Sequence, residues 1–380
     1  MHKLHARLAK IKTGRGGVSG HRPVETNMHI GILTGGGDCP GLNAVIRAVT
    51  LALLSDGGAR VTGIRRGFLG LLTRDVVALD EPSVAGILAQ GGTILGSHNR
   101  CDPFHYFGAG GADVSSQAMA CARELGLDAL VAIGGDGTMT IANGFARLGL
   151  PVVGVPKTID NDLCHNDRSF GFDSAVAVVA EALDRLETTA RSHGRVMVLE
   201  TMGRNAGWIA LEGGMAGGAH VILLPELPYQ IDEIAVVCRE RETRQGYTLI
   251  CVAEGARAVG AEPTVARRVG DSPDPVRLGG IGAVLAQQLQ ALLSSEVRST
   301  LLGHLQRGGA PTPFDRVLAT RFGYAAARLV LDKEWGRMVT LQGTDIHSVT
   351  LESVANCSRP VPLDHALLAA SRGIGVSLGS

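Results

Sequence analysis

Residues 28–54 read MHIGILTGGGDCPGLNAVIRAVTLALL, and their pattern decides the fold class. The apolar run 28–34 is halted by Gly35-Gly36-Gly37-Asp38, and over 42–54 apolar side chains recur at helical spacing, so the segment reads strand, glycine loop, helix. The unit returns downstream. ALVAI at 129–133 runs into Gly134-Gly135-Asp136-Gly137-Thr138 and a helix, and PVVGV at 151–155 runs into Pro156-Lys157-Thr158-Ile159-Asp160-Asn161-Asp162. Further strands are expected at 195–200, 220–224, 248–253 and 298–302, with helices near 174–190, 231–243, 279–294 and 314–331. Strands apolar on both faces and separated by helices predict an α/β protein with mostly parallel sheets sandwiched by helices. Ligands of such sheets bind beyond the carboxyl ends of the strands, where all three loops fall, so a cleft between two lobes is the expected site.

Composition sets the outer bounds. The 380 residues suffice for about two domains, with a second α/β lobe expected to start near residue 172. With 45% hydrophobic and 19% charged residues the chain is too apolar for long disorder, and 36 basic against 36 acidic residues leave no global field for nucleic acid or an anionic membrane. The 52 glycines show no period of three, which excludes a collagen-like chain and points to tight turns. No stretch approaches the roughly 20 apolar residues of a membrane span. The seven cysteines form no CxxC pair, so a disulfide framework and a structural zinc site are both unexpected, and a reducing cytosol is the expected compartment. Residues 1–27 read as a disordered basic extension, and 255–278, rich in Pro, Gly and Arg, as an irregular surface excursion.

Each loop carries a chemical expectation beside a plain structural one. The triple glycine lets backbone N–H groups approach a phosphate at a helix start, yet it follows neither the P-loop nor the GxGxxG spacing, and a tight turn alone explains it as well. GGDGT places one carboxylate, Asp136, among glycines, where it suits Mg²⁺ bridging phosphate oxygens. That short run also occurs in NAD and lipid kinases, which therefore remain open alternatives. PKTIDND places Asp160 and Asp162 two residues apart, so that one can accept a proton while the other holds a metal. Two acidic loops on successive strands converge on one sheet edge, which disfavours the reading of solvated loop acids.

The runs GGGDCPGLNAVIR, GGTILGS, GGDGT, PKTIDND, RVMVLETMGRNAGWIA, VAEGA and GHLQRGG, in this order between Met28 and about residue 345, resemble the 6-phosphofructokinases. The resemblance implies a two-lobed Rossmann-like enzyme that phosphorylates the 1-hydroxyl of fructose 6-phosphate with Mg²⁺ and ATP, cytoplasmic and assembled as a homodimer or homotetramer. It implies a larger donor lobe of 28–171 plus about 306–356, and a smaller sugar-phosphate lobe of 172–305 plus about 357–380. It makes Asp160 the base, sets Thr158 beside the transferred phosphoryl group, gives Asp136 and Asp162 to Mg²⁺, and has Arg204 stabilise the transferring charge. Arg195, Met202, Gly203, Glu254, Arg298, His304 and Arg307 would hold the sugar phosphate, with Arg195 and Arg298 reaching a neighbouring subunit's site. Gly36, Arg100, Gly135, Asp136, Gly137 and Thr138 would line the donor site, although Arg100 stands one residue later than the family's arginine. His98, His165 and His193 receive no role.

Donor choice is mixed in this comparison. Gly137 leaves room for the α-phosphate of ATP, whereas Lys157 matches the lysine of pyrophosphate-dependent enzymes, so a reversible pyrophosphate-dependent enzyme is the alternative. A side chain in that volume excludes ATP sterically while a lysine only adds charge, which favours ATP. The family's effector site is degraded: Arg47 remains, but Leu51, Asp75, Glu187, Thr243 and Gln245 replace basic residues, so weak or absent regulation by ADP or phosphoenolpyruvate is expected. A non-enzymatic sugar-phosphate sensor is disfavoured because every catalytic carboxylate position is filled.

Overall fold

Strands and helices alternate along the computed structural model, which describes residues 27–269 and 276–380. The strands are β1 His29–Thr34, β2 Arg60–Ile64, β3 Val76–Leu79, β4 Ala129–Gly134, β5 Val152–Pro156, β6 Val196–Thr201, β7 Val221–Leu223, β8 Thr248–Ala253, β9 Val265–Arg268, β10 Val276–Leu278, β11 Val297–Leu301, β12 Arg337–Gln342 and β13 Asp345–Thr350. The helices are α1 Leu42–Gly57, α2 Phe68–Thr73, α3 Ser115–Glu124, α4 Asp136–Arg147, α5 Phe172–His193, α6 Trp208–Ala216, α7 Ile231–Arg244, α8 Ile281–Gln290, α9 Pro313–Leu331, α10 Leu351–Val354 and α11 Ala366–Gly373.

A seven-stranded sheet runs β13-β12-β5-β4-β1-β2-β3, and a four-stranded sheet runs β11-β6-β8-β7. The pairings β12-β5, β5-β4, β4-β1 and β1-β2 are parallel, as are all three of the smaller sheet; β2-β3 and β12-β13 are antiparallel edges. The chain leaves β1 for β2 on one side and then crosses to β4 on the other. This reversal opens a crevice at the carboxyl ends of β1 and β4, where the triple-glycine and GGDGT loops sit. Every residue of β1, β4, β5, β6 and β8 is buried, because helices cover both faces. One core runs between the sheets, from Ile30, Val131 and Val153 through Val179 and Leu183 to Leu199 and Cys251.

The two-sheet α/β architecture matches the fold class read from the sequence, and four expectations need correction. First, Cys164 and Cys357, 193 residues apart, form a disulfide, although no bridge was expected. Spacing carried no signal, since only the tertiary fold brings their Cα atoms to 5.9 Å. Second, the excursion at 255–278 contains a short antiparallel ribbon, β9 with β10, bulged between Arg277 and Leu278. Third, β11 is not apolar on both faces: only Val297 is buried, because the strand is an edge of its sheet. Fourth, β2, β3, β12 and β13 were not anticipated: β3 has only four residues, β13 is polar and nowhere fully buried, and Thr62 in β2 and Thr340 in β12 interrupt the apolar run although both strands are largely buried. The expected basic extension lies outside the described residues apart from Asn27. Among the described residues no helix is long and apolar enough to cross a membrane.

Candidate active site

The crevice is built from strand ends. Thr138, in the first turn of α4, lodges its side chain between the ends of β1 and β4. A Cβ at Gly35 would lie 2.6 Å from Thr138 Oγ1, and one at Gly134 would overlap the same side chain, so both glycines are required by packing. A Cβ at Gly137 would meet nothing within 4 Å. The amino terminus of α4 thus opens with Gly135 as its cap and Asp136 in its first turn, beside unobstructed space, with unpaired backbone N–H groups that favour an anion.

PKTIDND follows β5 directly. Lys157 is only 3% exposed, and its Nζ donates to the carbonyl of Gly37. The ammonium therefore lies beneath the triple-glycine loop rather than in the open crevice, and burial lowers its pKa. Asp160 is 4% exposed, its Oδ1 is buried without a hydrogen-bond partner, and its Oδ2 lies 3.9 Å from Arg204 Nε. The Thr158 hydroxyl accepts from the Asp160 N–H at 3.0 Å and donates to Asp162 Oδ1 at 3.2 Å. Asn161, between the two acids, adopts a left-handed φ of 53° and so turns the carboxylates of its neighbours to their different partners.

Burial first, then the nearby carboxylates of Asp160 and Asp136, push the Asp162 carboxyl from 3.8 up to about 7. Such a group binds more protons folded than unfolded across that interval. Its contribution to stability is therefore fully present below its ordinary value and is lost as pH rises through about 7. We expect ligand-free Asp162→Asn to melt at the wild-type temperature near pH 4 and above it near pH 8; a variant no more stable than wild type near pH 8 would remove this strain from the site.

Arg204 is delivered by the turn after β6. Glu254 Oε1 accepts from the N–H of Gly203 at 3.2 Å and of Arg204 at 2.9 Å, which fixes Arg204 at a left-handed φ of 53°. Burial raises the Glu254 carboxyl to about 7. The N–H of Met202 donates to the buried Gln306 at 2.8 Å, and Arg307 Nη1 donates to the Asp38 carbonyl at 3.0 Å, so the GHLQRGG turn touches both lobes. His304, in the same turn, is exposed. Arg100 places its guanidinium 5.0 Å over Phe107, in a loop whose Ser97 donates to the Gly36 carbonyl.

Two expected residues are not brought to this cluster. Arg195 and Arg298 both pair with Glu296 at the amino ends of β6 and β11. The six residues of β6, roughly 20 Å of strand, separate Arg195 from the carboxyl end that delivers Arg204 to Asp160, while Arg298, second of the five residues of β11, lies three residues, roughly 10 Å, before that strand's carboxyl end. Of the acids expected in place of basic effector residues, Asp75 pairs with Arg66 and Glu187 with Arg191 and Tyr247, so neither is a bare charge. Sequence reading missed Gln306 and Arg359. Gln306 stood inside a quoted motif with no chemical signal of its own, and Arg359 lies beyond every matched run.

Crowded acids beside an open helix terminus, with an arginine facing the most buried of them, form a site for phosphoryl transfer. Comparison with known proteins carries this further. A family model described as phosphofructokinase matches residues 29–330, and the chain belongs to the phosphofructokinase family. It is 50% identical over 356 residues (92% of this chain, 97% of the other) to ATP-dependent 6-phosphofructokinase 2 of Clostridium perfringens. It is 48% identical over 337 residues (89% and 97%) to a pyrophosphate–fructose 6-phosphate 1-phosphotransferase of Amycolatopsis mediterranei. Phosphofructokinase from Saccharomyces cerevisiae superposes with a TM-score of 0.74 at 31% identity, covering 86% of this chain and 45% of that one.

Proposed function

We propose that the protein transfers the γ-phosphoryl group of ATP to the 1-hydroxyl of fructose 6-phosphate, giving fructose 1,6-bisphosphate. The observation that carries this is Asp160: a buried carboxylate with one oxygen unpartnered and the other facing Arg204. Its free oxygen suits removal of the hydroxyl proton, while Arg204 balances charge on the transferring group. Thr158, hydrogen-bonded to both Asp160 and Asp162, orients the pair. Asp136 and Asp162 fit Mg²⁺, because a cation offsets both the burial and the neighbouring carboxylates that raise Asp162. Among the described residues no group of three His, Cys, Asp or Glu could hold a metal unaided, which suits an ion that completes its shell with water and phosphate oxygens. Bound there, Mg²⁺ would neutralise charge on the phosphates.

Arg195, Arg298, His304 and Arg307 are assigned to the sugar 6-phosphate, with Glu254, Met202 and Gly203 at the sugar. Arg195, just before β6, and Arg298, second residue of β11, are assigned to the site of a neighbouring subunit, as the resemblance to the family implies, in an active homodimer or homotetramer. Gly36, Arg100, Gly135, Gly137 and Thr138 line the donor side. The donor lobe is assigned to 28–171 plus about 306–356, the sugar lobe to 172–305 plus about 357–380, and the enzyme to the cytoplasm.

Donor choice rests on Gly137, whose surroundings are open, against a Lys157 that is buried under the glycine loop. The pyrophosphate-named relative, at an identity close to that of the ATP-named one, keeps the second donor as a defined alternative. Product formation from fructose 6-phosphate and Mg²⁺, with ATP in one reaction and pyrophosphate in another, decides it. Turnover only with ATP is expected. Turnover only with pyrophosphate would transfer the decision to Lys157.

A further inference from the structure

Residues 357–361 lie beyond the family match, yet they touch both catalytic loops. The Arg359 N–H donates to the Asp162 carbonyl at 2.7 Å, and its Nη2 donates to the carbonyls of Asn161 and Asp167, each at 3.0 Å. The guanidinium stacks 4.5 Å over the Trp208 ring, while Trp208 Nε1 donates to the Arg359 carbonyl at 2.9 Å. Two residues on, the Val361 N–H donates at 2.8 Å to Glu226 Oε1, the oxygen that also takes the Gly207 N–H at 2.9 Å. Gly207 and Trp208 open α6, within four residues of Arg204. The Leu163–Ser358 bridge and the Cys164–Cys357 disulfide anchor the segment at its start.

We propose that Arg359 is a positioning residue for the phosphoryl transfer: it clamps the left-handed Asn161 between Asp160 and Asp162 and ties that turn to the loop carrying Arg204. Asn161 holds its φ of 53° through its own amide, which donates to the Asp167 carbonyl at 3.2 Å and accepts from the Ser169 N–H at 3.0 Å. These bonds fix the side chain but leave the Asn161 carbonyl to Arg359. A left-handed non-glycine turn persists only when its surroundings over-determine it, and here a planar cation supplies that constraint by reaching two carbonyls and an indole face together. Lysine, a point charge on a flexible stem, cannot reproduce the stacked fork. The distance between the proton acceptor and the phosphoryl-stabilising arginine is then set by one brace, and small misplacement of such groups is costly to turnover.

The proposal rests on the reading of Asp160 and Arg204 given above, so its test has one arm that does not depend on activity. In the full-length protein, Arg359→Gln is expected to speed amide exchange of peptides covering 158–169 and 203–208 by about tenfold. Its kcat should fall about 10- to 100-fold while KM for fructose 6-phosphate and for donor stays within about threefold. Arg359→Lys should recover little, and guanidinium added to Arg359→Ala should restore part of kcat. If Arg359→Gln does not fold, Trp208→Phe, which keeps an aromatic ring but loses the indole N–H, should still raise exchange in both peptides. Unchanged exchange in both peptides in the folded variants, or wild-type kcat in an active protein, overturns the brace. A wild type inactive on fructose 6-phosphate with raised exchange in the variants would instead overturn the function and leave the brace standing.

Discussion

Asp160→Asn lowers kcat by about 10³-fold, because the variant keeps the shape of the side chain but loses the group that takes the hydroxyl proton. The pocket should survive. Asp160 makes no side-chain hydrogen bond through Oδ1, and the Asp160 N–H to Thr158 bond is a backbone one that Asn retains. KM for fructose 6-phosphate should therefore stay within about threefold, since the loss falls on the transition state rather than on binding. Initial rates against fructose 6-phosphate at saturating ATP measure both quantities. A kcat within tenfold of wild type would remove Asp160 as the base and point to Asp162, the other carboxylate of the loop, in its place.

Gly137→Asp should sharply weaken the use of ATP. A Cβ at this position meets nothing within 4 Å, and an acid in the first turn of α4 complements the helix dipole, so the fold and melting temperature should be kept. The new carboxylate would occupy the open space in front of the helix terminus. Two like charges about 4 Å apart at an effective dielectric near 20 repel by about 4 kcal/mol, and solvent at this exposed position reduces that, so a fall of about 10²- to 10³-fold in kcat/KM for ATP is expected. Pyrophosphate, which has no α-phosphate or nucleoside to seat, should lose less, and the ratio of the two activities should shift accordingly. Undiminished use of ATP by the folded variant would show that the nucleotide does not pass Gly137, and the donor argument would then have to be rebuilt around Lys157.

Much of the site was legible because its residues sit where strand ends dictate. Asp136, Thr158, Asp160 and Asp162 each follow a continuously apolar run by a few residues, and parallel sheets bring such positions together whatever the intervening helices do. Arg204 was legible by the same rule, following β6, whereas Glu254, after β8, came only through the resemblance to the family. Arg195 and Arg298 were legible as residues but not as members of this cluster, since within one chain Arg195 precedes β6 and Arg298 lies near the amino end of β11. Arg307 was expected at the sugar phosphate, and in this structure its guanidinium rests on the glycine loop at Asp38. Lys157 shows the reverse limitation: its type suggested a phosphate contact, while its burial beneath Gly37 depends on how the loop after β1 drapes over β5.

By itself the sequence determined the α/β class, the three loops at strand ends and the pairing of acids with glycines, because hydrophobic periodicity and chain-breaking residues act locally. Only the tertiary structure decided which residues meet across long separations. Cys164 with Cys357, Met202 with Gln306, and Arg359 with Asn161 join positions far apart in the chain, and no local pattern encodes such a meeting. The same holds in part for the raised Asp162 carboxyl, whose shift comes from burial, from Asp160 in its own loop and from Asp136 on another, so that burial and the Asp136 contribution exist only once the loops have converged.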